Sequence, residues 1–307
     1  MKLSVVTTLY RSAAFIEEFH RRASAEAKKI TDDYEIVMVD DGSPDDSLQV
    51  ALALVRQDPR LRIVELSRNF GHHKAMMAGM EAARGDMVFL IDADLEEPPE
   101  LLGEFRRELE AGTWDVVYGY QKERKGGLVE RYVGRIAWKL INRLYSIRIP
   151  RNQCTVRLMR SDYVKALLLH KEHDTIIGGL WVITGFKQKG VPIKKLSRVG
   201  TTYGFSTRLG ILLNGVTSFS AAPLQLMSLF GLLVTLTSFV FGLVIIVQKL
   251  THNAAIGWSS VMVSIWFLSG TIIFCLGVIG LYISRIFIET KNRPYVIVSR
   301  VHTSERP

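Results

Sequence analysis

The sequence predicts an α/β fold, a mainly parallel sheet covered by helices on both faces, with two membrane-spanning helices toward its C-terminal end. Three observations carry that expectation. Short apolar runs alternate with helical patterns through the first 120 residues, two of those runs end in acidic clusters, and the last third holds two long segments without charge.

In order, the apolar runs are LSVVTTL (3–9), YEIVMVD (34–40), RIVELS (62–67), DMVFLID (86–92) and DVVYG (115–119). Between them, helices are predicted around Ala13–Lys29, Asp45–Arg56, His73–Ala83 and Pro99–Glu110. Near-continuous apolar strands separated by helix-length segments are what a buried parallel sheet requires. Such Rossmann-like layers bind ligands beyond the carboxyl ends of their strands. Asp40-Asp41-Gly42-Ser43 ends the second strand and Asp92-Ala93-Asp94 the fourth, so both acidic clusters are expected at one edge.

From Leu224 to Val247, and again from Trp258 to Ser284, no residue is charged. Each run exceeds the roughly 20 residues a helix needs to cross the hydrocarbon layer. QKLTHNAAIG joins them, so they read as a hairpin whose flanks return to one side. Those flanks carry Arg198, Arg208, Arg285, Lys291, Arg293 and Arg300, against Lys249 alone among Lys and Arg in the turn. The positive-inside rule then places the bulk of the chain and both termini in the cytoplasm, on an inner membrane crossed twice. Met1 leads directly into KLSVVTTLY, and no cleaved signal is expected.

The expected organisation is a globular domain over 1–205, a juxtamembrane amphipathic helix over 206–222, the hairpin over 223–285 and a cytoplasmic tail over 286–307. Within the first domain, a basic and aromatic stretch at about 128–146 presents an apolar face and a cationic face, the pattern of an interfacial helix. The 307 residues carry a formal charge of +9, but no stripe of Lys and Arg interleaved with aromatics marks a nucleic-acid surface. Anionic lipid heads, or phosphates at the membrane surface, suit that charge better. Cys154 and Cys275 are too few and too far apart for a disulfide frame or a metal cluster.

The stretch FLIDADLEEPPE (89–100) sets Asp92, Asp94 and Glu96 at alternate positions after a buried strand end. Hard divalent cations take oxygen ligands and share them with substrate phosphates, so Asp94 with Glu96 reads as a site for Mg²⁺ or Mn²⁺ on a nucleotide diphosphate. The bland alternative is a solvated turn. VDDGSPDDS (39–47) divides similarly: Asp45 serves as a helix cap and Gly42 as a turn residue, or Asp40-Asp41 accepts hydrogen bonds from a nucleobase or ribose. His72 and His73 diverge by about 100° on a helix, which argues against one shared metal ion and for a place at the helix start or lining the site.

These motifs together make the chain resemble the family 2, GT-A-fold glycosyltransferases, specifically the polyisoprenyl-phosphate glycosyltransferases that include dolichyl-phosphate mannose synthase and the bactoprenol glycosyltransferases. The resemblance runs over essentially the whole chain: VVTTLYRS, VDDGSPDDS, LSRNFGHHKAMMAGMEAARGD, DADLEEPPE, VRLM, SFSAAPL, the two apolar runs and RPYVIV. It implies a nucleoside bound by Thr8, Tyr10, Asp40, Asp41 and Asp92, and a metal held by Asp94 and Glu96. It also implies catalytic roles for Asp92, Asp94 and Arg157, and an acceptor phosphate met by Arg124, Arg131 and Arg157.

The expected activity is inverting transfer of a sugar from a nucleotide donor, UDP-linked, to a polyprenyl phosphate such as undecaprenyl phosphate at the cytoplasmic leaflet of the bilayer. A lipid phosphate is already anionic at neutral pH, so positioning and leaving-group stabilisation matter more than a strong base. Competing readings are a transferase with another lipid or glycan acceptor, and a non-catalytic scaffold that binds nucleotide sugars. The resemblance to tetrameric relatives implies a homo-oligomer, up to a tetramer, in which RPYVIV (293–298) is expected to add a strand to a neighbour's sheet edge. The chain departs from the family pattern at Thr8, usually Pro, at Asn152 and Thr155, usually acidic, and at Thr202, usually Lys. These departures fall near the sugar and acceptor side.

Overall fold

A computed structural model describes residues 2–121, 150, 152–171, 177–195, 222–251 and 257–304. Arg124, Arg131, the predicted interfacial helix at 128–146 and the juxtamembrane helix at 206–221 lie outside the described residues. The chain forms two compact units, Met1–Arg135 with Ile147–Tyr203 and Pro294–Pro307, and Ile136–Ser146 with Gly204–Arg293.

The first unit is built on a mixed sheet. Its parallel strands come from β1 (Leu3–Leu9), β2 (Tyr34–Asp40), β3 (Leu61–Leu66) and β4 (Met87–Leu90), joined by α1 (Ile16–Ile30), α2 (Ser47–Val55) and α3 (His72–Ala82). After α4 (Leu101–Ala111) come β5 (Val116–Gln121), β6 (Gln153–Arg160), α5 (Ser161–Leu167), α6 (Ile177–Ile183), β7 (Gln188–Ile193) and, from the far end of the chain, β8 (Val298–His302). The strand order is β7-β5-β6-β4-β1-β2-β3-β8. The first five strands lie where the apolar runs predict them, and four of the seven pairings are parallel.

Every residue of β1 and β2 is buried, which is why those runs lack polar alternation. Residues such as Leu3, Val5, Phe89 and Phe105 pack on one face with α1, α2 and α4, while Val6, Val39, Met76 and Leu90 pack on the other with α3. Phe89 meets Phe105 edge to face, with ring centroids 6.3 Å apart. At the amino end of the strands Glu35 accepts hydrogen bonds from Ser4 Oγ at 2.7 Å, the Arg84 amide at 2.6 Å and Arg62 Nη2 at 2.9 Å. That buried carboxylate is therefore fully paired.

Two features differ from the sequence expectation. β6 inserts antiparallel between β4 and β5, where the sequence suggested no strand; Arg157 interrupts its apolar pattern. The tail strand falls at Val298–His302 and pairs antiparallel with β3 of its own chain instead of a neighbour's edge. Covalent tethering favours this: an edge strand with open donors and acceptors is filled first by the segment held at high local concentration. Tyr295 and Val296 pack against the α3 face of the core, and the Ser67 amide donates to Ile297 O at 2.9 Å, so the tail from Pro294 belongs to the sheet unit.

The second unit contains α7 (Ala222–Thr251) and α8 (Trp258–Thr290), helices of 30 and 33 residues. At 1.5 Å per residue they are about 45 and 50 Å long, against a hydrocarbon layer of about 30 Å. Among the described residues, one segment, Ser264–Thr290 of α8, is long and apolar enough to cross a membrane, and α7 carries the shorter apolar stretch Leu224–Val234. Hydroxyls on both helices return to the preceding turn: Thr237 Oγ1 donates to Leu233 O at 2.7 Å and Thr271 Oγ1 to Phe267 O at 2.9 Å.

Candidate active site

The carboxyl edge of the parallel strands gathers three loops. β1 runs out into Thr8, Tyr10 and Arg11; β2 ends at Asp40 and is followed by Asp41; β4 is followed by Asp92, Asp94, Glu96 and Glu97. Both acidic clusters therefore share one edge, as predicted.

The loop after β2 is rigid for identifiable reasons. Gly42 adopts φ +60°, and a Cβ there would sit 2.6 Å from the Asn69 nitrogen, so only glycine fits. Asp41 takes the Phe70 amide at 2.7 Å and the Gly71 amide at 3.0 Å on its two oxygens, and Asn69 Nδ2 donates to Asp41 O at 3.0 Å. The Asp41 carboxylate thus fixes the loop that opens α3. Burial still raises its pKa, against those two amides. Asp40 is 3% exposed with Oδ1 unpaired, and burial pushes its carboxyl up to about 6. Asp45 takes the structural role: it accepts from Ser43 Oγ, Ser47 Oγ and the Ala13 amide. Despite some desolvation, these bonds hold its carboxyl down at about 2.

His72 opens α3 and faces the site. Its Nδ1 lies 3.0 Å from Thr8 Oγ1 and its Nε2 lies 3.3 Å from Asp92 Oδ1. Desolvation opposes charge on both partners, yet each supports the other's ionised form: His72 is raised and Asp92 lowered, with Thr155 adding a hydrogen bond to Asp92. Thr8 and Thr155, two positions that depart from the family pattern, are therefore both tied to Asp92. Tyr10 is 47% exposed at the rim.

Beyond Asp92, Asp94 Oδ1 accepts from the Glu96 amide at 3.0 Å, and burial raises the Asp94 pKa. Glu96 Oε2 lies 3.1 Å from Lys195 Nζ, a residue that follows β7. Glu97 has no exposed surface; its Oε2 accepts from the Val156 amide at 2.9 Å, and burial pushes its carboxyl up to about 7. Lys195 is raised because Glu97 and Glu96 outweigh its desolvation. Glu97 and Lys195 were not evident as site residues: Lys195 is about a hundred positions from Glu96 in sequence.

Among the described residues, no group of three His, Cys, Asp or Glu side chains is preassembled to hold a metal. Asp94 and Glu96 still fit a hard divalent cation as a partial donor set, because such ions take one or two carboxylates and complete their shell with phosphate oxygens and water.

Arg157 is fully buried on β6. Its Nε donates to Thr155 O at 3.2 Å and its Nη2 to Cys154 O at 3.3 Å, while the guanidinium stacks over Trp181 of α6. Nη1 is unpaired, and among the described residues no carboxylate forms an ion pair with it. Burial lowers its pKa to about 9. Among the described residues Arg157 is thus a buried cation without a directly paired carboxylate, its charge supported at longer range by Glu97.

In an open α/β sheet ligands bind beyond the carboxyl ends of the strands, which is where these carboxylate-bearing loops gather. The chain belongs to glycosyl transferase family 2, whose model matches residues 4–168. It is 46% identical to a protein of Mycobacterium tuberculosis named among putative glycosyltransferases, over 99% of this chain and 90% of that one. It is 32% identical to the prophage bactoprenol glucosyl transferase homolog of Escherichia coli, over 98% of this chain and 99% of the relative. Among solved structures, the Pyrobaculum calidifontis mannosyltransferase PcManGT, in complex with GDP-Man and Mn²⁺, aligns with a TM-score of 0.49 at 17% identity, covering 70% of this chain and 63% of that one. The chain is a glycosyltransferase with a GT-A-like α/β fold.

Proposed function

We propose that this chain is a membrane-anchored, inverting glycosyltransferase that moves a sugar from a UDP-linked donor to a polyprenyl phosphate, undecaprenyl phosphate, at the cytoplasmic leaflet. The observation that carries the reading is the alignment of Asp92, Asp94 and Glu96 beside the Asp40-Asp41 strand end, at one edge of the sheet. The full-length similarity to a protein named as a bactoprenol glucosyl transferase homolog supports the lipid-phosphate acceptor. The apolar span Ser264–Thr290 of α8 supports membrane anchoring, and the 30-residue α7, with its apolar stretch Leu224–Val234, is read as the second crossing.

In this reading Asp40 and Asp41 lie at the nucleoside, with Thr8 and Tyr10 lining its pocket. Asp41 secures the loop over it and Tyr10 offers the exposed rim. Asp92, aimed by His72, takes a sugar or ribose hydroxyl. Asp94 and Glu96 would hold Mg²⁺ or Mn²⁺, which when bound neutralises charge on the departing diphosphate. Arg124, Arg131 and Arg157 are the cations for the acceptor phosphate; the unpaired Nη1 of Arg157 supports its part. The phosphate oxygen attacks the anomeric carbon as the bond to the nucleoside diphosphate breaks, with inversion. No proton has to be removed from an ionised acceptor. Association of copies, up to a tetramer, belongs to this reading; within the chain β8 covers the β3 edge.

The test is transfer from radiolabelled UDP- and GDP-sugars into organic-extractable lipid, with undecaprenyl phosphate, Mn²⁺ or Mg²⁺, and an EDTA control. One metal-dependent labelled lipid is expected. Donor binding without transfer to this or any other acceptor would overturn the enzymatic reading.

A further inference from the structure

Lys195 stands between two neighbouring carboxylates of different character. Its Nζ lies 3.1 Å from Glu96 Oε2 and 3.5 Å from Glu97 Oε1. Glu97 is immobile: it has no exposed surface, and the Val156 amide of β6 holds its Oε2 at 2.9 Å. Glu97 Oε1 has no hydrogen-bond partner, so among the described residues Lys195 is the cation that faces it. Glu96 is different, about a quarter exposed at its side chain. Lys195 is therefore anchored at one carboxylate and shares the other with whatever else competes for it.

Glu96 is also the carboxylate proposed to complete the cation site with Asp94. An ammonium and a divalent cation on one carboxylate repel each other, and each reduces the binding of the other. A nucleoside diphosphate changes that balance, because its oxygens supply ligands to the cation and a new anionic partner to the ammonium. Glu97 keeps Lys195 in place when Glu96 is released.

We propose that Lys195 is an internal counter-ion for Glu96 that makes cation binding conditional on the donor. In the absence of nucleotide it occupies Glu96 and weakens cation binding there; with the diphosphate present it yields Glu96 to the cation. Lys195 is thus a positioning residue, and the inference rests on the proposed cation site at Asp94 and Glu96.

The experiment is an EPR titration of the full-length purified protein with Mn²⁺, with and without UDP. The wild type is expected to bind Mn²⁺ weakly alone and more tightly with UDP. Lys195→Met should tighten binding of Mn²⁺ alone by about fivefold or more and shrink the effect of UDP, while Lys195→Arg retains the wild-type dependence. A merely structural lysine would give the opposite sign, since loosening the loop weakens the site. If Lys195→Met leaves Mn²⁺-alone affinity unchanged or lower while UDP still promotes binding, the counter-ion role is overturned and the cation site stands. If neither protein binds Mn²⁺ even with UDP, the cation site falls and the inference with it. Thermal midpoints within a few degrees of one another show that the variants are folded.

Discussion

His72 Nε2 lies 3.3 Å from Asp92 Oδ1, joining the first turn of α3 to the acidic loop after β4. The other ring nitrogen faces Thr8 Oγ1 at 3.0 Å. The ionised Asp92 carboxylate only accepts, so it calls for a proton on Nε2, while the Thr8 hydroxyl can donate to a neutral Nδ1 or accept from a protonated one.

From this line of three groups, His72→Leu is expected to lower kcat by about 10-fold to 100-fold with little change in thermal midpoint. His72→Gln should recover part of that loss, because its amide can still donate to Asp92. Thr8→Val should have a smaller effect in the same direction, restored by Thr8→Ser. Steady-state kinetics with varied donor would check all four, and unchanged kcat in His72→Leu would remove His72 from the site.

Asp40 links stability to function. Its folded pKa is raised to about 6 from 3.8, so the native state binds the proton more tightly than the unfolded chain. Stability therefore falls as pH rises between those two values, and the full cost is present above pH 6. Asp40→Asn should stabilise the protein at pH 8 by about 1–3 kcal/mol and lose that advantage below pH 4, while weakening UDP binding. Thermal midpoints at the two pH values, with UDP titrations, test it.

Glu35 sits at the opposite end of the strands, 6% exposed and bonded to Ser4, Arg62 and the Arg84 amide. Glu35→Ala leaves the Arg62 guanidinium and the Arg84 amide without that partner, at a cost of about 3 kcal/mol. The expected result is a lowered thermal midpoint with the KM for donor unchanged in the protein that remains folded.

Asp94→Ala is expected to reduce lipid labelling by about 100-fold or more, to the level left by EDTA. Full turnover in that variant would displace the cation from this loop.

Much of the fold is legible because parallel strands buried on both faces leave an unbroken apolar record. LSVVTTL and YEIVMVD match β1 and β2 residue for residue. β6 is not legible in the same way: it runs antiparallel, and Arg157 interrupts it at a position where stacking on Trp181 and two backbone carbonyls, all distant or local contacts invisible to periodicity, make a buried cation tolerable. In the site, the acidic clusters were evident from their place after strands. Of their partners, His72 reads from the sequence only as a helix-start or site-lining residue, and Lys195 gives no signal. His72 and Lys195 reach Asp92 and Glu96 only through tertiary packing, and Glu97 reads as one more acid in a polar turn until the Val156 amide is seen to bury it.

The edge strand β8 has a consequence for biosynthesis. β3 receives its outer neighbour from residues 298–302, which leave the ribosome after both long apolar helices have been made. Until then the nascent sheet carries an open edge next to the loop that supports Asp41 and His72. Closure of that edge, with the bond from the Ser67 amide to Ile297 O, therefore waits until both long helices have been translated.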